Sequence, residues 1–159
     1  MGVDFTEYVA ARRATLVRSA VLLGCDLHEA EDLVQTALTR CLRSWRKVQR
    51  ADRPDAYVYR VLVNAFHDSR ARLWRGELPT ADLPEAPVEG ADLAAGIAVR
   101  RALLNMSREH REVLVLRYYA DLSERETAAV LDLPAGTVKS RTARALQALA
   151  ADQNIVRSN

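Results

Sequence analysis

Apolar residues recur every three or four positions over most of this chain. The clearest run is Ala30, Leu33, Val34, Ala37, Leu38, Cys41, Leu42 and Trp45. Its i, i+3, i+4, i+7 spacing predicts an amphipathic helix of about four turns. Asp26 is placed to cap the start of that helix, with Glu29 three residues on. Before it, Phe5 to Leu23 predicts a first helix, with Asp4 as N-cap and Gly24 as the stop. A third is predicted from near Pro54 to about Trp74, buried along Val58, Val61, Leu62 and Ala65. Later in the chain the pattern predicts helices over Leu93–Asn105 and Arg108–Tyr119, the latter capped by Ser107. No alternating strand-like run of useful length and no Asn-Gly or Asp-Gly hairpin turn occurs. The fold class is therefore all-α.

The stretch Asp121 to Leu149 carries the strongest local signal. Ser123 followed by Glu126 is a capping box that starts a helix. Asp132-Leu133-Pro134-Ala135-Gly136 breaks it, and Pro134 suits the first turn of the next helix. In that next helix Val138, Thr142, Ala145, Leu146 and Leu149 share an apolar face. Thr137, Ser140, Arg141 and Arg144 share the other, with Lys139 beside them, and no acid falls between Gly136 and Ala151. Helix, tight turn and basic second helix make a helix-turn-helix, which puts side chains into a DNA major groove. The competing reading is a solvated basic face on a surface helix.

Gly76 to Gly90, GELPTADLPEAPVEG, holds three prolines and two glycines and has no helical period, so it reads as a linker. The predicted organisation is two small helical domains, 1–75 and 93–151, joined by an acidic Pro-rich linker over 76–92. Charge supports this division. The chain has a net charge of only +2. Residues 1–75 nevertheless hold 13 Lys/Arg against 9 Asp/Glu, while 76–93 hold no base and 5 acids, and 94–159 hold 10 bases against 7 acids. Two basic lobes joined by an acidic strip make a pattern that the total charge hides.

Other classes lose ground. No run of 18 apolar residues predicts a membrane span, and the N-terminus lacks the apolar core of a signal peptide. Cys41 falls on the apolar stripe and reads as core; Cys25, beside Gly24 and near His28, has too few companions for a zinc site. No metal and no cofactor are expected, and a reduced, cytoplasmic protein is the default. His28, His67 and His110 fall on different helices with no visible partners, which leaves a small helical enzyme without convergent titratable groups.

The third helix, DAYVYRVLVNAFHDSRARLWR, adds a second nucleic-acid signal. Arg60, Asn64 and Arg70 to Arg75 are interleaved with Tyr57, Tyr59, Phe66 and Trp74. Arginine neutralises phosphate, and aromatic rings stack on unpaired bases. An ordinary surface helix with a basic C-terminal end accounts for the same residues through its dipole. The second helix opens with Glu29, Glu31 and Asp32, acids that stabilise a helix start or face a basic partner.

Together AEDLVQTALTRCLRSW, PDAYVYRVLVNAFHDSRAR and HREVLVLRYYADLSERETAAVLDLPAGTVKSRTARAL resemble bacterial sigma factors of the extracytoplasmic-function (ECF) group, SigE-type. The resemblance covers all but the linker and the tail. It implies a helical region 2 that binds core RNA polymerase and the minus-ten element, and a region 4 that binds the minus-thirty-five element. Glu31, Asp32 and Gln35 would dock on the clamp helices of the polymerase largest subunit. The loop Val48 to Arg53, with Tyr59, Arg60 and Asn64, would hold the unpaired minus-ten strand, and Arg70, Arg72 and Arg75 its phosphates. Thr137, Lys139, Ser140, Arg141 and Arg144 would read duplex in the major groove. An anti-sigma partner, if one exists, would clamp between the modules. Thr36, Ala71, Thr142 and Ala143 depart from the family's usual residues, which leaves the promoter sequence open. A stand-alone helix-turn-helix repressor remains the alternative, and would need a symmetric dimer with equal half-sites.

Overall fold

The computed structural model describes residues 2–76 and 93–152. Along the first segment run α1 (Phe5–Leu23), α2 (Leu27–Arg43), α3 (Trp45–Arg50) and α4 (Pro54–Trp74). Along the second run α5 (Leu93–Asn105), α6 (Arg108–Leu114) with a π-helical turn over Val115–Tyr119, α7 (Glu124–Leu131) and α8 (Ala135–Ala151). No strand occurs among the described residues. The expected linker, apart from Gly76, lies outside them.

Local chemistry sets the boundaries. Asp4 accepts from the Thr6 amide at 3.2 Å and Asp26 from the Glu29 amide at 2.8 Å, satisfying orphan donors at the starts of α1 and α2. Gly24 ends α1 at φ +124°, returning its N–H to Ala20 and Val21. At that φ a side chain would be strained. A Cβ on Gly24 would also come within 3.1 Å of an Arg111 nitrogen.

The apolar stripe of α2 behaves as its spacing predicts up to Cys41: Ala30, Leu33, Val34, Ala37, Leu38 and Cys41 are all buried. Leu42 departs from the expectation and is 52% exposed. The helix ends one residue later, and Ser44 at φ −121°, ψ 28° redirects the chain. Trp45 therefore opens a separate short helix, and Val48 to Arg50, expected as loop, are helical. The connection to α4 shrinks to residues 51–53.

Helix α4 is buried more widely than one stripe. Val58, Leu62 and Ala65 are buried as predicted, but so are Tyr59, Val63 and Phe66, while Val61 is only half-buried. The cause is that α4 packs on α2 from one side and on α7 from the other. A single apolar cluster runs from Leu16, Val34 and Phe66 through to Leu116, Leu122 and Val130. The two modules thus share one core.

Polar contacts reinforce the seam. Arg111 donates to Leu23 O at 2.9 Å, to Leu103 O at 2.9 Å and to Met106 O at 3.2 Å. One guanidinium thereby satisfies carbonyls at the C-terminal ends of α1 and α5. Burial pulls its pKa below the usual arginine value, partly offset by Glu112. His67 Nε2 lies 2.7 Å from Glu112 Oε2, and Glu112 is 5% exposed. The sequence showed no partner for His67. It has one because two modules 45 residues apart in sequence meet at this point.

Candidate nucleic-acid interface

The helix-turn-helix forms as its capping signals predict. Ser123 Oγ accepts from the Glu126 amide at 3.0 Å, and Glu126 Oε1 accepts from the Ser123 amide at 2.8 Å. This reciprocal box starts α7. Its hydrogen bond to the Ser123 amide, helped by Arg53, holds the Glu126 carboxyl below the usual range. Asp132 takes the left-handed conformation at φ 55° and ends the helix. Pro134 falls one position earlier than expected, at the N-cap of α8 rather than inside its first turn.

On α8, Val138, Thr142 and Ala145 are buried against the module. Thr142 meets the cost of burial by donating to Val138 O at 2.7 Å. Leu146, expected on this face, is 40% exposed. It lies about 80° round the helix from Val138 at roughly 100° per residue, outside the narrow buried arc. Opposite that arc, Lys139, Ser140 and Arg144 are exposed, and Thr137 and Arg141 are half-buried. Arg141 sits 3.8 Å from Glu109. The residues expected from the sequence to face a groove therefore share one accessible surface, with Arg141 at its edge.

The first module departs further from expectation. Tyr59 is 0% exposed, and its hydroxyl lies 2.7 Å from Ser19 Oγ. It is a core residue and cannot stack on a base. Burial pushes its phenol up to about 12. Phe66 is buried too, beneath the Arg70 guanidinium at 4.9 Å. Arg70 is committed within the module, bonding Glu29 at 3.0 and 3.2 Å and Gly24 O at 2.9 Å. Sequence periodicity could not separate these from surface residues, because α4 is covered on two sides.

What α4 does expose is Arg60, Asn64, Arg72 and Arg75, together with Trp74, which is 92% exposed. A groove of about 930 Å³ lies along its C-terminal half against α6, lined by His67, Arg70, Trp74, Arg75, Arg108 and Arg111. Beyond the expected set, Arg43, Arg46 and Lys47 are exposed at the end of α2 and on α3, and Arg50, within the expected 48–53 segment, is exposed with them. Their signal in the sequence was plain charge, without a helix face to place it on.

Glu31, Asp32 and Gln35 are exposed on α2. Asp32 faces His28 at 3.5 Å, one turn earlier. Asp32 and Gln35 line a shallow groove of about 560 Å³ with Thr36, Thr39, Arg40 and Arg43. Glu29 is not part of this surface, since it pairs with Arg70. Cys25 and Cys41 are buried free thiols, and burial raises both, Cys41 to about 11. Among the described residues no cluster of three His, Cys, Asp or Glu is placed to hold a metal ion.

Two helical modules, one with a helix-turn-helix and one with an arginine-bearing helix beside an exposed acidic face, have the architecture of a DNA-binding transcription protein. The family models for Sigma-70 region 2 and Sigma-70 region 4 match residues 8–76 and 97–149. The chain is 40% identical over 154 residues to the RNA polymerase sigma-E factor of Streptomyces coelicolor, covering 92% of this chain and 84% of that one. It is 32% identical over 143 residues to the ECF RNA polymerase sigma factor SigL of Mycobacterium tuberculosis, covering 86% and 81%. Among solved structures, the sigma factor RpoE of Bartonella quintana, crystallised with the anti-sigma factor NepR, superposes at TM-score 0.78 with 22% identity over 97% of both chains. CnrH, solved with the cytosolic domain of CnrY, superposes at 0.63 with 25% identity over 92% and 85%. The chain belongs to the Sigma-70 family, as an RNA polymerase sigma factor of the ECF group.

Proposed function

We propose that this sigma factor divides promoter reading between its modules, with boundaries near residues 75 and 93. The α2 face of Glu31, Asp32 and Gln35 docks on the clamp helices of the polymerase largest subunit. Arg60 and Asn64 of α4 meet the unpaired minus-ten strand, with Arg72 and Arg75 against its phosphates and Trp74 as the exposed aromatic surface beside them. Thr137, Lys139, Ser140, Arg141 and Arg144 enter the major groove at the minus-thirty-five element. Tyr59 and Arg70 leave this set, since both are held inside the fold.

Polymerase performs the chemistry, so the chain is a specificity subunit and not an enzyme. It acts in the cytoplasm, and no described helix is long and apolar enough to cross a membrane. An anti-sigma factor is a further proposed partner, by analogy with the complex of RpoE.

The observation that carries this reading is the accessible cationic face of α8 behind an intact capping box. Run-off transcription with purified core polymerase on a pooled promoter library tests it. Transcripts that appear only with this chain, and share upstream motifs, are the expected result. Stable core binding without transcripts would reject the promoter assignment. Failure to bind core would favour a stand-alone regulator.

A further inference from the structure

Trp74 is 92% exposed at the C-terminal end of α4, although tryptophan side chains are mostly buried in folded proteins. It lines the groove of about 930 Å³ between α4 and α6. Arg108, the first residue of α6, lines the same groove and is exposed. Deeper in lie the buried Phe66 and the half-buried Arg70 and Arg111.

The two deep guanidiniums are held differently. Arg70 is paired with Glu29 and lies over the Phe66 ring. Among the described residues Arg111 bonds no carboxylate. Its N–H groups go instead to Leu23 O, Leu103 O and Met106 O. Carbonyls fix a guanidinium in place without cancelling its charge, and further donors remain. The neighbouring Glu112 is itself bonded to His67 at 2.7 Å. Arg108 is 3.7 Å from that carboxylate, beyond direct hydrogen-bond range. Arg108 and Arg111 are three residues apart on α6, and Arg70 and Trp74 four apart on α4, so each pair shares a helix face.

We propose that this groove is a binding site for a nucleoside di- or triphosphate, its base stacked on Trp74 and its phosphates held by Arg108 and Arg111. The groove has the size of a small-molecule site, which runs from about 300 to 1,000 Å³. Guanidinium groups bind phosphate in a bidentate fork, and two on one helix face can share a polyphosphate. An exposed indole offers a stacking surface to any base. A bare phosphate would leave Trp74 unused, and an apolar ligand would leave Arg111 uncompensated. Asp68, an exposed acid on the groove, can accept from ribose hydroxyls. Trp74 also belongs to the proposed minus-ten surface, so a bound nucleotide would cover part of it. The binding claim itself does not depend on the promoter function.

Tryptophan fluorescence of the full chain tests this, with ADP, GDP, inorganic pyrophosphate and a single-stranded oligonucleotide titrated in turn at about 0.15 M salt. The chain has two tryptophans. Trp45 donates to Val3 O at 3.1 Å and packs on Phe5 and Tyr8, so Trp74 reports on the groove. The nucleotides should quench saturably, with Kd below about 1 mM. Pyrophosphate, with no base to stack, should bind about tenfold more weakly. Arg108→Ala should weaken nucleotide binding about tenfold. Trp74→Phe should abolish the quench and leave Trp45 emission unchanged. Both side chains are mostly exposed, so the variants keep the fold. As a second readout, ADP should raise the melting temperature of the parent more than that of Arg108→Ala. Pyrophosphate binding as tightly as the nucleotides would overturn the proposal. A response to the oligonucleotide alone would also overturn it and assign the groove to a nucleic-acid strand. No saturable response, or one unchanged in Arg108→Ala, would remove the site.

Discussion

The Tyr59 hydroxyl lies 2.7 Å from Ser19 Oγ, with both residues 0% exposed. Ser19 also donates to Thr15 O at 2.9 Å, so the phenol donates to Ser19 and the chain Tyr59–Ser19–Thr15 is satisfied. Removing the phenol oxygen leaves Ser19 its own acceptor. Tyr59→Phe should therefore cost only about 1 kcal/mol, and Tyr59→Ala, which opens a cavity, about 3–5 kcal/mol. Urea unfolding of the full chain measures both. Run-off transcription by the Phe variant should match the parent; a selective loss of minus-ten recognition at unchanged stability would return Tyr59 to the reading surface.

Tyr59 also shows where sequence reasoning reached its limit. Helix positions, caps and the turn chemistry around Ser123 and Asp132 were legible because each depends on residues within four positions of one another. The boundary at Leu42–Trp45 was not, since the apolar period continues through it and only the backbone at Ser44 breaks. The α4 aromatics were misplaced for a different reason. Periodicity marks one buried face, and nothing local announces that α7 would cover a second. The Arg53–Glu126 and His67–Glu112 pairs, 73 and 45 residues apart in sequence, follow from the docking of modules and carry no signal in either segment alone.

Ser123 is a local determinant with a measurable share of stability. Ser123→Ala removes the acceptor for the Glu126 amide and should cost about 1 kcal/mol. Ser123→Thr should retain most of it. Because α7 positions α8, duplex affinity for the minus-thirty-five element should fall with the first variant and hold with the second. Equal affinities across all three proteins would separate cap integrity from recognition.

Acid should loosen the same corner. The Glu126 carboxyl lies below its ordinary pKa, chiefly through the Ser123 amide and then through Arg53. A depressed carboxylate contributes stability that is present above the unfolded value, about 4.3, and is lost as pH falls through the folded value. Between pH 7 and 5 this contribution should be flat. Below about pH 4.3 the parent should lose more stability than Glu126→Gln, whose side chain does not titrate. Parallel curves for the two proteins across that range would remove Glu126 as the responsible group.

Gly24 ends α1 beside two arginines: Arg70 donates to its carbonyl at 2.9 Å, and Arg111 donates to Leu23 O at 2.9 Å. Gly24→Ala forces a side chain into φ +124° and toward Arg111 at 3.1 Å. The backbone strain alone is about 1–3 kcal/mol, and displacing Arg111 disturbs its bond to Leu23 O. The variant should melt several degrees lower. Gly76→Ala, at φ +75° with open space around it, carries strain without crowding and should lose less. Equal losses would show that Arg111 yields freely.

Arg141 and Glu109 set a sharper test of the recognition face. Their ion pair is long, 3.8 Å, and Glu109 is mostly exposed, so it contributes at most a few tenths of a kcal/mol to stability. The carboxylate nevertheless stands beside a surface proposed to meet phosphate and base edges. Glu109→Ala should leave the melting temperature nearly unchanged and tighten duplex binding at low salt. Arg144→Ala should weaken binding and lower the salt-dependence slope by about 1 if it meets phosphate. If it reads a guanine, the loss should instead be about 1–3 kcal/mol and confined to one base-pair position. Binding titrations at two salt concentrations, on the selected promoter and on single-base variants, separate these outcomes. No response to either substitution would move recognition off α8 altogether.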